Sequence, residues 1–363
     1  MTAPVPRPGI LEIAPYIGGE GKSEGSHRLI RLASNEGGLG PSPRAAAAYQ
    51  ALAGELHRYP DGGGAALTEA LAARHRLEAG QIVLGAGSDE LLSLVTRAYA
   101  GPGDEVLYPQ YGFLMYPIAA RTVGATPVTA PETNLTASVD ALLAAVTAKT
   151  RLLFLANPNN PTGSCLPAAE LRRLHAGLPG HVVLVIDAAY AEFVTAADYT
   201  AGQDLVQGAD NVVMARTFSK AYALAALRLG WAYASPAIAG VLHRVRGPFN
   251  VNAAAQAAGI AALEDEPFLE TARRHNEVCR DWFAGRLGAL GLRVHPSAGN
   301  FVLVDFSAWG EAEAVRLYLK DRGILVRQMG GYKLPHCLRI TIGRTDEMHE
   351  VAEALAGYRE TIA

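Results

Sequence analysis

The chain is predicted to be α/β: a large domain around a mostly parallel sheet, followed by a smaller α+β domain. Three observations carry this. Between Ile82 and Ala215 short apolar runs alternate with helix-forming segments, the pattern of strand–helix–strand units in a parallel sheet. After Asn252 the pattern changes to long helical stretches, then short strands separated by helices. The 363 residues exceed what one compact core normally holds. The expected division is an N-terminal arm over 1–34 packing with the small domain, a large domain over 35–252 and a small domain over 253–363.

In the arm, Ile10 to Ile17 alternates apolar residues and ends in Pro15-Tyr16, Gly18 to Ser26 is glycine-rich and flexible, and Arg28 to Leu32 is a short strand. Ser42 is placed to cap a helix that has Pro43 at its first position and runs from Ala45 to Leu56. His57 to Gly62 is a turn and Leu67 to His75 a helix. The strands expected next are 82–84, 105–108, 126–129, 151–156, 182–186 and 212–215. Between them helices are expected over 90–99, 112–120, 138–147 and 167–176. Beyond Asn252, helices are expected over 253–263, 267–290, 311–321 and 346–358, with strands over 301–305, 324–326 and 338–342.

Half the residues are hydrophobic and 18% are charged, which suits a large core. A net charge of -3 gives no reason to expect nucleic acid or an anionic membrane as partner. Cys165, Cys279 and Cys337 are far apart and form no CxxC, which favours a reducing, cytoplasmic setting without disulfides or a zinc site. Met1 to Gly9 holds three prolines and no apolar core, so no signal peptide is expected there. No uncharged apolar run approaches the roughly 18 residues of a membrane span.

In parallel sheets ligands collect at the carboxyl ends of the strands. Ser88, Tyr111, Asn157, Asp187 and Lys220 all fall at or just past such ends. Lys220 follows Ser219, and Arg228 comes eight residues later. The segment is a solvated turn, or a lysine that bonds an aldehyde while Ser219 and Arg228 hold a phosphate, as pyridoxal phosphate requires. Gly85-Ala86-Gly87-Ser88-Asp89 opens a helix, so it is an ordinary N-cap or an anion site made of free N–H groups and the helix dipole. Asp187 ends an apolar strand, where a carboxylate needs a donor or cationic partner: a turn cap, or the acid that keeps a pyridine nitrogen protonated. Tyr190 is a candidate donor to the ring's 3-oxygen; Asn157, in the loop to Gly163, either shares that oxygen or belongs to a proline-rich turn between strand and helix. Tyr111 is either core or a ring that stacks on the cofactor. The non-cofactor rival, a nucleotide-binding dehydrogenase, has Gly85 and Gly87 but Glu90 in place of the third glycine.

Together Asn157 to Gly163, Asp187-x-x-Tyr190 and Ser219-Lys220 with Arg228 resemble the fold-type I, class I/II pyridoxal phosphate aminotransferases over nearly the whole chain. Pro15-Tyr16, Leu32 to Glu36, Arg58-Tyr59-Pro60-Asp61, Gly87 to Glu90, Arg246 to Asn252 and Leu338 to Gly343 resemble the histidinol-phosphate aminotransferase branch, and are shared with aromatic amino acid transaminases. The resemblance implies that Lys220 carries the cofactor and shuttles a proton. It implies that Asp187 pairs with the pyridine nitrogen, that Tyr190 and Asn157 hold the 3-oxygen, and that Tyr111 stacks. Backbone groups of Ser88 and Asp89, with Ser219 and Arg228, would bind the cofactor phosphate. Tyr59 would reach the phosphate of a neighbouring subunit, which implies a homodimer with shared sites. Arg339 would grip a substrate α-carboxylate, and Arg327 and Tyr16 the phosphate end of an amino donor. Asn35 would belong to the substrate side, with a 2-oxo acid as amino acceptor. A phospho-amino-acid decarboxylase of the same fold is a further reading. The chain departs from the family at Gly37-Gly38, where Asn-Pro is usual, at Ala188, where Glu is common, and at Ala226, where Gly is usual.

Overall fold

The computed structural model describes residues 4–16, 18–20 and 29–362. Its larger sheet has seven strands, in the order Ile82–Gly85, Gly230–Ala234, Val212–Thr217, Val183–Asp187, Thr150–Ala156, Glu105–Pro109, Thr126–Ala130. The last five pair in parallel, while Gly230–Ala234 runs antiparallel to both its neighbours. The central strand Val183–Asp187 is buried throughout, because helices cover both faces of a parallel sheet. Leu67, Leu153, Ile186 and Leu229 belong to the core on one face, and Val83, Leu91, Val106 and Val185 to the core on the other.

The smaller sheet has five strands, in the order Ile30–Leu32, Ile324–Gln328, Cys337–Thr341, Phe301–Asp305, Arg293–His295. Only the first pair is parallel. Ile30 and Leu32 thus enter a core formed with Phe283, Val315, Leu319 and Met348. Residues 21–26 of the glycine-rich stretch, together with Ile17 and Arg28, lie outside the described residues.

Most expected elements are present with shifted ends. The helix expected from Gly112 begins at Met115, after a turn. Those expected to reach Leu56 and Thr147 stop at Ala51 and Ala144. The strand Gly230–Ala234 was not anticipated. Its four residues after Gly230 alternate aromatic and alanine and are all buried, a short run between a glycine and a Ser-Pro pair. Also unanticipated were the helix Pro236–Val245, capped by Ser235 on Ile238 N, the helix Gln203–Gly208 and the edge strand Arg293–His295. No helix among the described residues is long and apolar enough to cross a membrane.

Candidate active site

The carboxyl ends of the parallel strands open into a cavity of about 270 Å³, lined among others by Ser88, Asp89, Asp187, Tyr190, Ser219, Lys220, Arg228 and Arg339. The antiparallel strand completes this edge. Because Gly230 pairs with both Thr217 and Gly85, the residues just before it arrive beside the loops that follow those two strands. Arg228 therefore donates to Ser219 Oγ at 3.4 Å and to Asp89 Oδ2 at 3.3 Å. Gly87, at φ 89°, stands at the N-cap of the helix Ser88–Tyr99, which has no side-chain cap, so Ser88 and Asp89 fall in the first turn. A Cβ on Gly87 would come within 2.4 Å of an Arg228 nitrogen. Helix N-terminus, serine hydroxyl and guanidinium thus converge as phosphate ligands do.

Asp187 is buried. Its Oδ2 accepts from Tyr116 Oη at 2.9 Å, while its Oδ1 is buried with no partner. Burial pushes its pKa up to about 6, against the pull of the Tyr116 bond. An orphaned carboxylate oxygen at the base of a cavity calls for a cationic N–H, and a protonated pyridine nitrogen supplies one. Half-buried Lys220 donates to Ser34 O at 3.1 Å and lies over the Tyr190 ring at 5.9 Å. Burial first, and Arg339 second, lower its pKa to about 8; Arg228 contributes less. Burial thus favours the neutral form of the amine. Tyr190 Oη accepts from Asn35 Nδ2 at 2.8 Å, which leaves its own proton to give. Asn35 is itself fixed by Thr341, which donates to its Oδ1 at 3.2 Å. These features fit pyridoxal phosphate.

On the far side Arg339 is buried, donating to Asn160 Oδ1 and, at 2.9 Å, to Ala33 O, while its Nε has no partner. Arg327 is its direct partner across two antiparallel strands, so both side chains leave the same face. The Arg327 guanidinium lies 6.0 Å from the Tyr16 ring centre, and Tyr16 meets Phe113 edge-on at 6.4 Å.

Of the anticipated residues, Ser88, Asp89, Asp187, Tyr190, Ser219, Lys220, Arg228, Tyr16, Asn35 and Arg339 line the cavity. Arg327 does not line it, though its guanidinium lies over the Tyr16 ring. Asn157 does not line it. Its amide is paired with the Leu166 backbone, as acceptor at 2.7 Å and donor at 3.1 Å, and keeps a second N–H. Tyr111 also stays outside and packs on the cluster of Met329, Tyr332 and Leu334. Its N–H donates to Glu132 and its carbonyl accepts from Asn159, which turn the backbone so that Phe113 lines the cavity instead. Tyr59 is 82% exposed, stacked on Phe249, and does not line this cavity. Sequence reasoning missed Phe113, Tyr116 and Asn160. The three-residue spacing of Phe113 and Tyr116 at a helix start was the available signal. The Gly37-Gly38 departure has a steric basis: Cβ atoms there would come within 2.5 Å of Ala223 Cβ and 2.9 Å of the Gly343 carbonyl.

A cavity with a lysine, an orphaned acid and a phosphate cradle at the edge of this sheet defines a pyridoxal phosphate type of site. The chain belongs to the aminotransferase class I and II family, whose model matches residues 27–355. It is 63% identical to histidinol-phosphate aminotransferase of Rhodospirillum centenum, over 99% of both chains. It is 49% identical to that of Dinoroseobacter shibae over the whole of both. The crystal structure of histidinol-phosphate aminotransferase from Sinorhizobium meliloti in complex with pyridoxal-5'-phosphate superimposes with a TM-score of 0.92, at 31% identity and full coverage of both chains. An aspartate aminotransferase from Thermus thermophilus, 22% identical with a TM-score of 0.81 over 91% of both chains, shares the fold.

Proposed function

We propose that this chain moves the amino group of histidinol phosphate to 2-oxoglutarate with pyridoxal phosphate, as a cytoplasmic homodimer. The observation that carries the substrate assignment is the Arg327–Arg339 pair beside Tyr16. One arginine suffices for an α-carboxylate, and a second suits a phosphate at the far end of the donor. The names of the relatives agree with this reading.

When bound, pyridoxal phosphate supplies the carbonyl that receives the amino group and the protonated ring that draws electron density from the substrate α-carbon. Asp187 would hold the ring nitrogen through Oδ1, with Tyr116 steadying the other oxygen. Tyr190 and the spare N–H of Asn157 would serve the 3-oxygen. The backbone N–H groups of Ser88 and Asp89, with Ser219 and Arg228, would hold the phosphate, Tyr111 would stack on the ring, and Phe113 lines the cavity beside Tyr16. Lys220 Nζ would carry a proton from the substrate α-carbon to the cofactor carbon that receives the amino group, and back in the reverse half-reaction, which needs the neutral amine that burial favours. Arg339 orients the α-carboxylate with the N–H groups not committed to Asn160 and Ala33. Exposed Tyr59, with Leu56 and Phe249 also exposed, supports contact with a second subunit.

The edge-on pair of Tyr16 and Phe113 also suits an aromatic donor such as phenylalanine. The deciding measurement is kcat/KM of the wild type for histidinol phosphate, phenylalanine and tyrosine with 2-oxoglutarate. Histidinol phosphate is expected to lead. A higher value for phenylalanine or tyrosine would overturn the substrate assignment.

A further inference from the structure

Arg216 and Glu192 form an ion pair whose side chains are 10% and 4% exposed, the most buried pair among the described residues. Arg216 Nη2 donates to Glu192 Oε1 at 2.8 Å. Arg216 sits on the strand that leads into Lys220, four residues before it. Glu192 lies two residues after Tyr190 and five after Asp187. Tyr199 and Tyr222 feel both charges, and their phenols are pushed well up by burial. Tyr199 Oη donates to the Asn157 carbonyl at 2.9 Å, and Tyr222 is two residues past Lys220. The cluster thus touches all three loops that carry Asp187, Lys220 and Asn157.

Arg216 also lies 5.5 Å over the Trp231 ring, and a buried ion pair need not stabilise a fold. Glu192 Oε2 and Arg216 Nε are buried without partners, so the contact is single rather than forked. Buried pairs of this kind often add no stability over well-packed apolar residues, because both ions lose their hydration. We propose that Arg216 and Glu192 are positioning residues: the pair locks the Lys220 loop against the Asp187–Tyr190 loop and so sets the lysine amine relative to the acid. This inference rests on the transaminase reading and concerns residues that do not line the cavity.

The test replaces the pair by apolar residues, Arg216→Met with Glu192→Leu, beside the conservative single variant Glu192→Gln. Wild type is measured first for cofactor binding and turnover; if it shows neither, the transaminase reading itself has failed. Four quantities are then compared: the melting temperature of the cofactor-free protein, the Kd of the cofactor-free protein for pyridoxal phosphate, the pH midpoint of the bound cofactor's absorbance, and kcat against KM. Positioning predicts a double variant that melts within a few degrees of wild type. Its kcat should fall at least about tenfold at nearly unchanged KM, and its absorbance midpoint should move by about half a pH unit or more. Glu192→Gln, which keeps an acceptor for Arg216, should shift the same quantities in the same direction by less. A double variant with wild-type kcat and midpoint would sink the proposal. So would a loss of folding in the double variant combined with a Glu192→Gln protein that is only less stable.

Discussion

The two halves of the candidate site are built differently. The cofactor half stands on one rigid edge: Asp187 at a strand end, Lys220 and Ser219 just past the neighbouring one, and Arg228 brought alongside by an antiparallel strand. The substrate half is assembled from segments about 300 residues apart: Tyr16 and Asn35 near the start, Arg327 and Arg339 in the small sheet. The difference separates two kinds of precision. In the first half hydrogen bonds of one sheet set the geometry. In the second, packing of the arm and small sheet against the large one sets it. Damage to the first should therefore cost every substrate, and damage to the second should discriminate between them.

The largest effect is expected from Lys220→Ala, which would remove the proposed proton carrier for all donors. Single-turnover rates should fall by roughly 10²–10⁴, while circular dichroism stays native. Turnover near the wild-type rate would break the comparison at its centre.

Next comes Asp187→Asn. Loss of the ionic partner of the ring nitrogen should lower kcat by roughly 10²–10³, about 2.7–4 kcal/mol, equally for all donors. The cofactor-free variant should move the other way in stability. The carboxyl of Asp187 is raised from 3.8 to about 6, so its native form binds more protons than the unfolded chain in that interval. Wild-type stability is therefore lost as pH rises through about 4 to 6, by an amount on the order of 2–3 kcal/mol. The asparagine variant lacks this penalty. Melting curves of the two cofactor-free proteins should coincide near pH 4 and separate in favour of the variant above pH 6. A variant that melts lower throughout would mark Asp187 as a structural cap.

A smaller and selective effect sharpens the substrate half. Arg327→Leu should lower kcat/KM for histidinol phosphate by about one to two decades, because charge-assisted bonds to phosphate contribute roughly 1.5–3 kcal/mol. Values for glutamate and phenylalanine should change little. Equal losses for phenylalanine and histidinol phosphate would remove Arg327 from the phosphate site.

The smallest effect is in pH. Lys220 is lowered from 10.5 to about 8, and only its neutral form attacks an aldehyde. Uptake of pyridoxal phosphate by the cofactor-free protein should accelerate as pH rises toward 8 and level off above it, as stopped-flow absorbance can follow. A rate still climbing tenfold per pH unit at pH 9 would mean that burial does not depress this amine.

Much of the cofactor half was legible in the chain. An alternation of apolar runs and helices implies a parallel sheet, and strand ends then place Ser88, Asp187 and Lys220 on one edge without further information. The motif from Asn157 to Gly163 and the Ser219-Lys220 step added the chemistry. What the chain did not show was direction at close range. Tyr111 and Phe113 are two aromatic residues in one turn, and which of them lines the cavity depends on the Glu132 and Asn159 hydrogen bonds that aim the backbone. The Tyr116 bond to Asp187 spans 71 residues, and no local pattern encodes such a distance. The register that sets Arg327 opposite Arg339 is decided the same way, by which face of the small sheet must be buried. Local sequence determined the sheet edge because strand periodicity and turn chemistry act over a few residues. The opposed arginines, the orphaned Asp187 oxygen and the buried Arg216–Glu192 pair were decided only by tertiary packing, because each joins groups whose interaction exists only once separate elements have met.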